Sequence, residues 1–363
     1  QKQASLSFKK QNMKRKNLAA KKIARNKLTK TKDKKILIFY KKFEKKIYKS
    51  LNKEKFAIAV SGGSDSMCLA FFAAKYALSH NNKIHTLIID HKLRKESSLE
   101  AIKVKKILTK NNIKSNILTW RGISPKSNIQ LNARNIRYSL LSEYCHKKSI
   151  KNLIVAHHVD DQIENFFIRL IRGSGLSGLA SMSEISNYND NLKVVRPFLD
   201  FKKEDLKNVT KSVFKSFISD PSNKNKKFLR VRIRNYRKDL EKEGLDTKKI
   251  IKTVNNLLSA NKALNFYKQK ALHKHAYFLS KSKCLVNSNI FLDEPQEIIF
   301  KCFSNILSLV SNTYYPPRSK KIVNLIERIE KNNYHKSTLG GCIIEKKDGF
   351  ILFDREKNKQ NLI

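Results

Sequence analysis

The sequence predicts an α/β protein: a parallel, doubly wound sheet followed by a mainly helical domain with a small β element. Three observations carry this. Short apolar runs alternate with amphipathic helical stretches from residue 56 to 171, the order that builds a parallel sheet covered by helices on both faces. A Gly/Ser loop and two polar clusters each follow a strand run directly, where such sheets bind ligands. After about Gly244 the pattern turns to helical stripes and closes on a hairpin.

Taken in order, Leu37–Leu51 reads as a helix with Phe43, Ile47 and Leu51 on one stripe. Phe56–Val60 is a buried strand, Met67–Leu78 a helix, Ile84–Ile89 a second strand and Ser98–Leu108 a helix. Ile117–Leu118 belongs to a weak third strand. Leu131–Cys145 is a helix carrying Ala133, Ile136, Leu140 and Leu141 on one side, Leu153–Ala156 a fourth strand and Asp160–Ile171 a helix. Further on, Ile250, Ile251, Val254, Leu257 and Leu258 form one helical stripe and Ile322, Leu325, Ile326 and Ile329 another, punctuated by Pro316–Pro317. Cys342–Glu345 and Phe350–Phe353 read as a hairpin turning near Asp348–Gly349.

Seventy-seven basic residues against 30 acidic give a net charge of +47 in 363 residues. Such an excess suits a polyanionic partner, because Lys and Arg gain affinity for phosphates by releasing counterions. The compositional alternative is an AT-rich genome, which also favours Lys, Asn and Ile. No apolar run approaches a membrane span, and the N-terminus lacks the apolar core of a secretory signal. Five widely spaced cysteines without a Cys-x-x-Cys pair argue against a disulfide framework, zinc ribbon or iron–sulfur site and suit a reducing compartment. Residues 1–34 stand apart as a basic arm, with 12 Lys or Arg and no acid up to Lys32. A flexible phosphate-binding arm is the main reading and a transit peptide the second; Met13 is an alternative start.

Ser61-Gly62-Gly63-Ser64-Asp65-Ser66 joins the first strand to the next helix. Two glycines let backbone N–H groups approach an anion, the helix start adds partial positive charge, and three hydroxyls donate. Asp65 amid phosphates implies an intervening cation, Mg²⁺. A plain Gly/Ser turn capping a helix is the structural alternative. It is not a Walker A loop, for the chain has no Gly-Lys pair. Gly173-Ser174-Gly175-Leu176-Ser177-Gly178 imitates a dinucleotide fingerprint but follows a predicted helix, so it reads as a turn or substrate-facing loop.

Asp90-His91-Lys92-Leu93-Arg94 closes the second strand and His157-His158-Val159-Asp160-Asp161-Gln162-Ile163-Glu164 follows the fourth. His157 and Asp161, and Asp160 and Glu164, are four apart and share a helical face if the helix starts early. Paired acids there suit Mg²⁺, with Asp65 and Asp160 as its ligands, or the grip of an amine. Helix capping by Asp160 is the plain alternative. Lys224–Lys238 holds eight Lys or Arg and no acid, interleaved with Phe228, Leu229, Ile233 and Tyr236. Arg230, Arg234 and Arg237 fall on one helical face and are expected to meet an RNA backbone, or simply to be a solvated face.

The loop at 61–66 resembles the signature of the N-type ATP pyrophosphatases (the PP-loop superfamily, adenine nucleotide alpha-hydrolase-like in fold). Asp90–Arg94, Asn128–Tyr138, His157–Glu164, Arg172–Leu176, Arg196-Pro197-Phe198-Leu199 and Asp220-Pro221-Ser222-Asn223 with Arg230 and Arg234 resemble, in order and spacing, the tRNA(Ile)-lysidine synthetase family. The resemblance is strong over about 54–240; beyond it, Thr338–Cys342 resembles a C-terminal family element. With the patterns above, it gives four expected parts: the arm at 1–34, a catalytic ATP pyrophosphatase domain over 35–243, a helical tRNA-binding domain over 244–334, and a C-terminal β element over 335–363.

It also implies a ligase reaction. ATP adenylates O2 of the wobble cytidine in an isoleucine tRNA with a CAU anticodon, releasing pyrophosphate. The ε-amine of free lysine then attacks carbon 2, forming lysidine and expelling AMP. Ser61–Ser66 would hold ATP's phosphates, with Asp65 and Mg²⁺ offsetting their charge. Arg137, with Arg134, would stabilise the α-phosphate. Asp161 and Glu164 would bind lysine, and His157 would orient the site or take a proton. Lys92 replaces a usual glycine and Asn165 a usual threonine, which is expected to alter local geometry only. A tRNA thiolase, an amide ligase acting on a small molecule and a non-catalytic RNA-binding protein are the rival readings. A homodimer follows by analogy alone, and the compartment is the cytoplasm or an organelle.

Overall fold

The computed structural model describes residues 33–51, 54–93, 96–122, 129–180, 182–189, 191–218, 227–313, 316–331 and 334–356. The basic arm through Lys32, Arg94, Asn128 and Asp220–Asn223 lie outside them. The chain divides into two compact units between Val254 and Asn255.

In the first unit, α1 (Lys34–Leu51) is capped by Asp33, whose Oδ1 accepts the Lys35 N–H at 2.8 Å. It buries Ile36, Tyr40, Phe43, Ile47 and Leu51, the three-to-four spacing of a helix with one apolar face. There follow β1 (Phe56–Val60), α2 (Ser64–His80), β2 (Ile84–Asp90), α3 (Ser97–Lys110), β3 (Ser115–Thr119), α4 (Ile129–Lys147), β4 (Asn152–Ile154) and α5 (Val159–Ile171). All four strands and these helices were expected, within a few residues. The remainder is α6 (Leu176–Leu179), β5 (Ile185–Asn189), β6 (Leu192–Val195), α7 (Lys203–Phe214), α8 (Leu229–Lys242) and α9 (Thr247–His275), the last crossing the division.

The six strands order as β3-β2-β1-β4-β6-β5. Every pairing is parallel except β5 with β6, so the expected parallel sheet carries an antiparallel edge. Phe56, Ile58 and Val60 of β1 enter one core with α1 and α2, while Ala57 faces a second with Leu141 and Leu153. Burial on both faces is why these strands read as continuous apolar runs. The chain winds from β1 outward to β3 and then returns to the other side of β1 as β4. The switch point therefore lies between β1 and β4, whose carboxyl ends open a crevice.

The second unit holds an antiparallel sheet of order β7-β8-β11-β10-β9, from β7 (Ala276–Ser280), β8 (Lys283–Asn287), β9 (Lys336–Leu339), β10 (Cys342–Lys347) and β11 (Phe350–Arg355). With it come α10 (Ile290–Asp293), α11 (Gln296–Ser311) and α12 (Ser319–Glu330). Ile322, Leu325, Ile326 and Ile329 are buried against Phe303, Ile344 and Phe353 in one core. The expected hairpin is β10–β11, turning through Asp348 at φ 50° and Gly349 at φ 76°, the paired left-handed residues of a two-residue turn. The β7–β8 pair enlarges the β element beyond what the sequence suggested.

Candidate active site at the sheet switch point

β1 delivers Ser61 to the crevice and α2 begins three residues later. Gly62 adopts φ +90°, and a Cβ there would collide with Val104 of α3; its carbonyl accepts the Ile218 N–H at 2.9 Å. Only glycine fits that turn. The loop is further tied by its own hydroxyls. Ser66 Oγ donates to the Gly63 carbonyl at 3.0 Å and lies 3.2 Å from both the Ser61 N–H nitrogen and Ser61 Oγ. Thr210 of α7 donates to the Ser64 carbonyl at 2.6 Å. Ser61 stays exposed above the open N–H groups of α2, a ready anion cradle.

Across the switch point, His158 is the N-cap of α5. Its backbone is extended, its Nδ1 accepts the Asp160 N–H at 3.2 Å, and Asp161 Oδ2 accepts the His158 backbone N–H at 3.1 Å. This reciprocal capping box fixes the acids to the imidazole. His158 Nε2 lies 3.4 Å from Asp65 Oδ2 and 3.5 Å from Asp161 Oδ2, with the ring only 4% exposed. Burial alone would lower its pKa; contact with Asp65 and the charges of Asp161, Asp65 and Asp160 outweigh that and raise it. Burial likewise works to raise the Asp65 carboxyl, but His158, Lys203 and the Ser64 hydroxyl hold it below its usual range.

His157 faces different company. Its Nδ1 is buried without a hydrogen-bond partner. Burial, reinforced by Arg196, Arg134 and Arg230 and opposed by Asp161, pushes its pKa down to about 3, so the ring is neutral at pH 7. Arg134 also lies over the Tyr138 ring at 5.1 Å, and Tyr138 stacks on Tyr188. Arg137, one turn along α4, is exposed.

α8 lays its basic face on these acids. Arg234 grips Glu164 through two bonds, Nε–Oε1 at 2.5 Å and Nη2–Oε2 at 3.2 Å, and Glu164 is 2% exposed. Arg237 donates to Asp160 Oδ1 at 2.5 Å, to Glu241 at 2.8 Å and to Thr247 at 2.8 Å. Burial would raise the Asp160 carboxyl, yet Arg237 and His158 hold it low. So two of the three arginines expected to meet RNA are turned onto the carboxylates expected to meet lysine and metal, while Arg230 is exposed.

The structure thus brings together Ser61–Ser66, Asp65, Asp160 and Asp161 around His158, with Glu164, Arg234 and Arg237 alongside. Sequence reasoning passed over His158, Thr210 and the Gln162 clamp, whose amide bonds both backbone groups of Met182 at 2.9 and 3.0 Å. A usable signal for His158 was Asp161 three residues on, the N3 acid of a capping box. The Gly173–Gly178 stretch follows α5 as expected, with Gly173 at φ 63°.

A strand–loop–helix phosphate cradle at the switch point of such a sheet marks a nucleotide-binding α/β domain, and residues 36–238 match the PP-loop domain family, which binds ATP. The chain belongs to the tRNA(Ile)-lysidine synthase family. It is 33% identical over 310 residues to the tRNA(Ile)-lysidine synthase of Orientia tsutsugamushi (strain Boryong), covering 83% of this chain and 70% of that protein. It is 33% identical over 306 residues to that of Wolbachia pipientis wMel, covering 84% and 71%. The U34-tRNA thiolase NcsA from Methanococcus maripaludis shares the fold, with a TM-score of 0.51 at 18% identity over 61% of this chain and 80% of that one. Among the described residues no helix is long and apolar enough to cross a membrane.

Proposed function

We propose that this chain is the ligase its family membership points to: it joins lysine to carbon 2 of the wobble cytidine of a CAU-anticodon tRNA(Ile), through an adenylated tRNA, releasing pyrophosphate and AMP. The observation that carries this reading is the meeting, at one switch point, of a phosphate cradle and a carboxylate cluster joined by His158.

Cytidine O2 is a poor leaving group until it is esterified to AMP. The Ser61–Ser66 cradle holds the departing phosphates with the open backbone N–H groups at the start of α2, kept in place by the loop's own hydroxyl bonds, so little reorganisation is needed as charge develops. Asp65, a half-buried hard carboxylate beside the phosphate cradle, is the residue that would hold a Mg²⁺ ion. Bound there, Mg²⁺ would neutralise charge on the departing pyrophosphate. Asp160, with one oxygen on Arg237 and the other 3.4 Å from the Lys203 N–H, supports the cluster rather than the ion. We assign the lysine ammonium to Asp161, because Glu164 is saturated by Arg234. His157, neutral, orients the base or the amine; a group of such low pKa is a weak proton acceptor. Arg134 and Arg137 on α4 supply positive charge toward the α-phosphate. Lysine as co-substrate, Mg²⁺, a homodimer and a cytoplasmic setting belong to this proposal.

The thiolase reading is disfavoured by the cysteines. All five are buried. Burial pushes the Cys68 thiol far up, those of Cys145, Cys284 and Cys302 to about 12 and that of Cys342 to about 11, far from reactive thiolates. The decisive experiment incubates labelled lysine, ATP and Mg²⁺ with unmodified tRNA(Ile) bearing CAU, and separately with elongator methionine tRNA. Lysine enters only the first, with one AMP per lysine. AMP release without lysine incorporation would keep the ATP chemistry and remove the lysine assignment. No AMP from folded protein would leave an RNA-binding protein.

A further inference from the structure

We propose that His158 is a positioning residue that sets two carboxylates at once: Asp65 at the pyrophosphate end of the reaction and Asp161 at the amine end. The naming of the amine end rests on the lysidine reading; the pyrophosphate end does not.

Because Nδ1 accepts the Asp160 N–H at 3.2 Å, the neutral ring carries its proton on Nε2. That N–H faces Asp65 Oδ2 at 3.4 Å and Asp161 Oδ2 at 3.5 Å, one donor between two acids on different elements. The remaining hydrogen bonds of the two acids are local. Asp65 Oδ1 accepts from its neighbour Ser64 at 2.9 Å, and Asp161 Oδ2 accepts the His158 backbone N–H at 3.1 Å. The imidazole is therefore the link between the loop after β1 and the start of α5. It is 4% exposed while Asp65 and Asp161 are 23% and 16% exposed. Substrates meet the acids, and His158 acts through them. A carboxylate shifted by about 1 Å can cost on the order of 100-fold in rate, so the link matters more to chemistry than to folding.

The cap and the link can be separated by substitution. His158→Asn keeps an acceptor near Nδ1, and Asn is a favoured N-cap, but it removes the donor at Nε2. His158→Gln reaches the Nε2 position with an amide donor and loses the cap. The full-length chain is assayed for pyrophosphate release with tRNA in the absence of lysine, for lysine KM, for binding of a non-hydrolysable ATP analogue by calorimetry, and for melting temperature. His158→Asn is expected to melt within a few degrees of the parent. Its pyrophosphate release should nevertheless fall about 10–100-fold, with weaker Mg²⁺-dependent analogue binding and a raised lysine KM. His158→Gln should recover part of both losses at a lower melting temperature.

If both half-reactions survive in His158→Asn, the link does nothing. Loss of pyrophosphate release with an unchanged lysine KM would break the tie to Asp161 and overturn the two-ended role. Activity that follows melting temperature across the two variants would make His158 a cap alone. Failure of the parent to incorporate lysine while it still releases AMP would instead count against the lysidine reading, and would be visible before any variant is made.

Discussion

Lys92 follows β2 with φ at 50°, a left-handed conformation that a lysine side chain resists by about 1–2 kcal/mol. The turn is held because its N–H donates to Asp90 Oδ1 at 3.1 Å, while the same buried carboxylate takes the Ser97 and Ser98 hydroxyls at 2.7 and 2.6 Å and so ties the strand end to α3. The resemblance led to the expectation of a glycine here, and glycine adopts such a positive φ without strain. Lys92→Gly should raise unfolding stability by about 0.5–1 kcal/mol, the relief of strain less glycine's greater entropy in the unfolded chain. Chemical denaturation reads this directly; a stability loss would mean that the lysine side chain makes a compensating contact. The sequence carried the lysine, and its effect was expected to be local. It could not show the backbone angle, nor that His157 and His158, adjacent on extended chain, enter different surroundings, one near three arginines as well as Asp161 and one among acids alone.

At the scale of elements, α8 meets α5 through the Arg234–Glu164 and Arg237–Asp160 pairs, while Val231 and Ile233 of α8 are buried. Glu164 is nearly inaccessible and its compensation is Arg234. Arg234→Met would leave a buried carboxylate without a partner, which costs about 3 kcal/mol or more. The pair Arg234→Met with Glu164→Gln should recover most of that, because a neutral amide needs far less compensation. A double-mutant cycle on urea midpoints measures it, and additive losses would show that the two side chains do not depend on one another. This contact also marks where sequence reading stopped. The arginine face of α8 and the acidic face of α5 were each visible as patterns, but nothing in one chain says that two opposite faces meet. Strands β1, β2 and β4 were legible because both their faces are buried. β5, with alternating exposed polar residues and an exposed Ile185, carries no such signal. β7 was hidden differently: α9 runs into it from His275 to Ala276 with no Gly or Pro between, and Tyr277, Phe278 and Leu279 are all exposed, so neither a breaker nor an alternation announces it.

Over the whole molecule the net charge of +47 has two explanations with different consequences. If it is only codon composition, the lysines are scattered and RNA binding depends on no particular one. If it serves the tRNA, some cations sit where phosphates pass, and each contact releases counterions on binding. The ion pairs narrow the choice on α8: Arg234 and Arg237 are committed to Glu164 and Asp160, and the exposed Arg230 lies close enough to His157 to help depress its pKa. Of the three arginines expected to meet RNA, Arg230 is the one left exposed beside His157, and the proposed phosphate contact is tested there. Arg230→Gln should weaken tRNA(Ile) binding and lessen the slope of log K against log salt by about 0.7–0.9, the yield of one lost phosphate contact. Stability should stay within about 0.5 kcal/mol, as for an ordinary surface change. The measurement is a salt series of binding isotherms for parent and variant with the same unmodified tRNA. An unchanged slope would show that the phosphate passes elsewhere and return α8 to a purely structural role, its arginines present to neutralise the acids of α5.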